Sequence, residues 1–144
     1  MRLPETSETA AYALVTGCDA DDLVLLGLWA DAVCQQGQRA VAYIPYLPAA
    51  RADRGNPFGA KVYADLINAA GLDEVVAFDP HSPVSPSLVK NIRVVYSDRV
   101  IADVLGERVA AGEFGAVLAP DLGAVDRASR AAGALGLPLF TATK

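Results

Sequence analysis

Ala40-Val41-Ala42-Tyr43-Ile44-Pro45-Tyr46-Leu47-Pro48-Ala49-Ala50-Arg51-Ala52-Asp53-Arg54 runs from a short apolar stretch straight into a polar loop framed by prolines. Five apolar residues bounded by turn formers read as a buried strand, and the loop after them is too polar to be core. The same passage recurs twice. Asp79-Pro80-His81 follows the apolar run 75–78, and Pro120-Asp121-Leu122-Gly123 follows 116–119. In an open parallel sheet, segments leaving the carboxyl ends of strands meet along one edge, so distant clusters can line one crevice. Such a crevice would hold two arginines (Arg51, Arg54), three aspartates (Asp53, Asp79, Asp121) and the only histidine of the chain, His81.

Outward from these runs, the pattern predicts strands over 11–16, 40–44, 74–78, 92–96, 116–119 and 137–141. Between them, Leu23, Leu26, Trp29, Ala30 and Val33 have helical spacing, so a helix is expected from Asp21 or Asp22 to Gln36 and out through Gly37. Further helices are expected over 58–70, over 98–111 with Asp98 as cap, and over 122–135. Pro80, Pro83 and Pro86 predict a long irregular loop after the third strand. Alternation of strand and helix predicts an α/β fold, a mainly parallel five- to six-stranded sheet with helices on both faces.

With 144 residues the chain fits one core, expected over 11–144 after a short lead of residues 1–10. A net charge of −5 without a lysine-rich run argues against a nucleic-acid or anionic-membrane surface. No apolar stretch reaches the roughly 18 residues of a membrane span, and the N-terminus is polar and acidic, so a cytoplasmic protein is expected. Cys18 and Cys34 match no zinc or redox spacing and read as reduced, partly buried thiols. The chain is 53% hydrophobic and 20% charged, which predicts apolar surface covered by a second domain or subunit.

Each cluster has two readings. Arg51 and Arg54 can hold phosphate oxygens with Asp53 orienting one of them, or form a solvated ion-paired loop. His81 can face a metal or phosphate, or bond to a backbone carbonyl. Asp121 can serve a magnesium ion or a sugar hydroxyl, or cap a helix. Together, arginine, carboxylate and imidazole suit a metal-bound polyphosphate such as a nucleotide. The chain has no Walker loop ending in Gly-Lys-Ser/Thr, no Gly-x-Gly-x-x-Gly turn and no Gly-x-Ser-x-Gly elbow, so those site classes are not expected.

Residues 45–54 resemble the Pro-Tyr-x-x-Tyr-Ala-Arg-Gln-Asp-Arg signature of the ribose-phosphate pyrophosphokinases, the phosphoribosyl pyrophosphate synthetases. The similarity continues in order, with Gly59-Ala60-Lys61 for Ser-Ala-Lys, Asp79-Pro80-His81-Ser82 for Asp-Leu-His-Ala, and Ala119-Pro120-Asp121-Leu122-Gly123 for Ser-Pro-Asp-x-Gly. It spans residues 11–144 and resembles the N-terminal domain, with a phosphoribosyltransferase-like fold. Departures are Ala52 for the glutamine and Ala50 for the second tyrosine of the signature.

This resemblance implies an enzyme, a transferase, that moves the β,γ-diphosphoryl group of ATP to the anomeric hydroxyl of ribose 5-phosphate with Mg2+. It puts Arg51, Asp53 and Arg54 at the ATP phosphates, His81 at the magnesium–ATP complex and in catalysis, Asp121 beside magnesium and the ribose, and Lys144 on the catalytic lysine. The family's ribose 5-phosphate loop, Asp-Asp-x-x-x-Thr-Gly-Gly-Thr, does not occur here. A chain inactive alone is therefore expected, associating with a second catalytic domain or as a homo-oligomer. A noncatalytic synthetase-like subunit or regulatory module is the alternative.

Overall fold

The computed structural model describes residues 9–142, which form two compact units divided between Val95 and Tyr96. The first unit holds β1 (Ala10–Leu14), α1 (Ala20–Gln35), β2 (Arg39–Ile44), α2 (Gly59–Ala69), β3 (Glu74–Phe78), α3 (Val84–Leu88) and β4 (Ile92–Val95). The second holds α4 (Asp98–Ala110), β5 (Val117–Ala119), a 3-10 turn (Leu122–Ala124), α5 (Val125–Leu135) and β6 (Leu139–Thr141). All strand pairings are parallel, as the alternating pattern predicts, with the six strands divided four and two.

In the first unit the strands lie in the order β1-β2-β3-β4, so each crossover moves one place along the sheet. Right-handed crossovers that keep moving one way bring their helices to one face. Accordingly Leu26, Ala30 and Val33 of α1 and Ala64 and Ile67 of α2 share one core with Ala42, Ile44, Val75 and Ala77 of the sheet. Alternation sends Tyr12, Tyr43 and Phe78 to the other face, where the Tyr12 and Tyr43 rings lie 6.1 Å apart.

The helix α1 begins at Ala20, slightly earlier than its apolar spacing suggests, because Asp19 is the cap. Its Oδ1 accepts from the Asp22 amide at 3.0 Å, while Asp22 Oδ2 accepts from the Asp19 amide at 3.2 Å. This reciprocal box satisfies two orphan donors and places carboxylates at the positive end of the helix dipole. Gly17 is required beneath it, since a Cβ there would overlap the Asp22 carboxylate.

The proline-rich segment differs from expectation. Pro83 occupies the cap position and Pro86 the first turn of α3, where an amide has no intrahelical partner to lose. Asn68 fixes this segment to α2, donating to the Leu88 carbonyl at 2.9 Å and accepting from the Lys90 amide at 2.8 Å. Both cysteines are free and exposed instead of partly buried: Cys34 lies beside the inward-facing Val33 on α1, and Cys18 immediately precedes the Asp19 cap.

In the second unit Ala128, Ala131 and Ala132 bury one stripe of α5, and Gly136 ends that helix at φ 67°. The Arg130 guanidinium lies 4.1 Å from the centre of the Tyr96 ring. Asp98 sits in the first turn of α4, where its charge suits the helix dipole. No described helix is long and apolar enough to cross a membrane.

Candidate functional site

Ile44 is the register partner of Ala77, so the chain leaves β2 and β3 at the same edge of the sheet. The loop 45–58 and the loop 79–83 therefore start side by side. Their shape is set by what they bury. Leu47 and Ala50 turn into the core beneath the first loop. The Ala52 amide donates to the Ala49 carbonyl at 2.8 Å, and the Ala52 carbonyl accepts from the Ala60 amide at 3.0 Å, which ties the loop to the start of α2. Gly59 permits this approach, since a Cβ there would stand 3.0 Å from that of Ala52. The Asn56–Pro57 peptide is cis.

With Leu47, Ala50 and Asp53 turned inward, Arg51 and Arg54 are left on the solvent side, the Arg54 side chain 92% exposed. Asp53 is only 8% exposed. Its Oδ2 accepts from the Ser82 hydroxyl at 2.6 Å, and its Oδ1 lies 3.4 Å from Arg54 Nε. Ser82 in turn accepts from the Val84 amide at 3.3 Å, and Ser85 Oγ donates to the Ala50 carbonyl at 3.4 Å. The two loops are thus joined by side chains, and His81, next to Ser82, is exposed.

The Ser82 hydroxyl holds the Asp53 carboxyl below its ordinary range, against burial, which pushes it up, and with help from Arg54. Asp53 is therefore ionised at neutral pH. Two of the three non-glycine residues with positive φ among the described residues, Ala49 at 52° and Asp79 at 43°, lie in these loops. Such left-handed backbone costs roughly 1–3 kcal/mol per residue and clusters at functional sites.

Of the residues singled out by sequence, Arg51, Asp53, Arg54 and His81 come together on these joined loops of the first unit. Asp121 belongs to the second unit, where it is exposed and its Oδ1 accepts from the Ala124 amide at 3.1 Å, capping the 3-10 turn. Lys144 lies outside the described residues. Ser82 was visible only as a small polar residue after His81, and nothing in its spacing pairs it with Asp53. Among the described residues, no group of three or more histidines, cysteines or carboxylates could hold a metal ion.

Parallel strands opening into joined, arginine-bearing loops define an α/β protein with polar loops at the carboxyl ends of neighbouring strands. No protein-family model matches the chain. It is 35% identical over 132 residues to ribose-phosphate pyrophosphokinase 2, chloroplastic, of Arabidopsis thaliana, covering 79% of this chain and 33% of that protein. It is 34% identical over 126 residues to the ribose-phosphate pyrophosphokinase of Pyrococcus abyssi, covering 81% and 42%. The crystal structure of phosphoribosylpyrophosphate synthetase from Mycobacterium smegmatis superimposes with a TM-score of 0.75 at 27% identity, covering 97% of this chain and 50% of that one. The chain belongs to the ribose-phosphate pyrophosphokinase family, as the counterpart of one part of its longer members. It spans between a third and a half of the length of these relatives.

Proposed function

We propose that the chain is the magnesium–ATP half of a ribose-phosphate pyrophosphokinase-like enzyme, residues 11–144 being equivalent to the N-terminal domain. The observation that carries this reading is the joined pair of loops, which presents Arg51 and Arg54 beside the loop of His81 in a chain with pyrophosphokinase relatives. In the reaction, the anomeric hydroxyl oxygen of ribose 5-phosphate bonds to the β-phosphorus of ATP, the bond from that phosphorus to the α,β-bridging oxygen breaks, AMP leaves and the hydroxyl proton is released.

Transfer of this kind depends chiefly on positioning and charge neutralisation. Arg51 and Arg54 bind phosphate oxygens, Asp53 holds their loop, His81 meets the magnesium–ATP complex, and Lys144 acts in catalysis. Mg2+ takes one or two carboxylates together with substrate phosphates and waters, a demand the Asp121 carboxylate fits, since its cap uses Oδ1 alone. When bound, the ion neutralises phosphate charge. A second catalytic domain supplies the ribose 5-phosphate site, and assembly into a cytoplasmic homo-oligomer completes the proposal.

Competition for a fluorescent ATP analogue tests it. Loops that read phosphates give a ranking of ATP over ADP over AMP that depends on magnesium. Equal displacement by all three would contradict the reading.

A further inference from the structure

The Ser82 hydroxyl is the side-chain link between two loops whose ligand candidates lie immediately beside it: His81 precedes Ser82, and Arg51 stands two residues before Asp53. We propose that Ser82 and Asp53 are a positioning pair, a strap that fixes Arg51 and His81 relative to each other so that both reach one polyphosphate. This inference rests on the nucleotide-binding role proposed above.

Three features support it. The carboxylate is buried and both its oxygens are turned to protein donors, so it holds the loops instead of opposing an incoming anion. The 2.6 Å hydroxyl–carboxylate bond falls in the short, charge-assisted class, stronger than a neutral pair. The hydroxyl also accepts from the Val84 amide, which orients its proton toward Asp53 and connects the strap to the start of α3. Ser82 itself need touch no ligand. Its effect passes through the spacing of its neighbours, where small displacements of a binding group are costly.

The test is a double-mutant cycle on the full chain, read by calorimetry with ATP and magnesium chloride, with thermal unfolding as the folding control. Ser82→Ala should weaken ATP roughly tenfold, the loss of one hydrogen bond to a charged group. Arg51→Ala should cost less in the Ser82→Ala background than in the unaltered chain, and Ser82→Thr, which keeps the hydroxyl, should restore affinity. A merely structural serine would not couple to Arg51 in this way. Unchanged affinity in Ser82→Ala, or an Arg51→Ala cost equal in both backgrounds, overturns the strap while leaving the nucleotide reading intact. Failure of the unaltered chain to bind ATP overturns that reading and the positioning role with it.

Discussion

Ser82 donates its hydroxyl to Asp53 across 29 positions of sequence, and the bond joins the segments leaving two neighbouring strands. Because it depends on an ionised carboxylate, it has a pH signature. The Asp53 value lies below that of the unfolded chain, mainly through Ser82, so between the two values the unfolded state binds more protons. The pair's contribution is complete above about pH 3.9 and declines as pH falls through the lowered value. Thermal unfolding from pH 5 to pH 2 should show a drop in this window that is smaller in Asp53→Asn; identical pH profiles would show that the carboxylate adds nothing.

Arg51→Ala and His81→Ala should leave the fold unchanged, since both side chains are exposed. Surface substitutions of this kind fall within about 0.5 kcal/mol. Urea midpoints equal to that of the unaltered chain, with ATP affinity reduced at least severalfold, are the expected pair of results. A large loss of stability in either would assign the residue to the fold.

The Asp19–Asp22 box should matter for stability alone. Asp19→Ala removes the cap of α1 and is expected to cost about 1 kcal/mol, seen as a lower urea midpoint at unchanged slope. Affinity for ATP should stay the same.

Ile67 is 2% exposed and packs α2 against the sheet. Ile67→Ala should cost about 2–5 kcal/mol. Denaturant unfolding would read it directly, and a cost under about 1 kcal/mol would mean that the core collapses around the missing side chain.

The alternation of apolar runs and helical spacing made the parallel α/β architecture legible, because crossovers and handedness are dictated by chain geometry. Helix ends were less legible. Asp19 and Asp22 cap each other through side chains, which apolar periodicity does not register. The three prolines suggested an irregular loop, yet two of them occupy positions of α3 that need no amide hydrogen. At the candidate site, Arg51 and His81 stood out as charged or titratable groups after strands. The Ser82–Asp53 bond did not, since it joins distant positions and carries no spacing rule.

The most direct measurement is a calorimetric titration of the full chain with ATP, with and without magnesium, repeated with His81→Ala. Saturable binding that requires magnesium and is lost in the variant is the result expected of a pyrophosphokinase half-site. Absence of binding at millimolar ATP, or magnesium-dependent binding undiminished in His81→Ala, would contradict it.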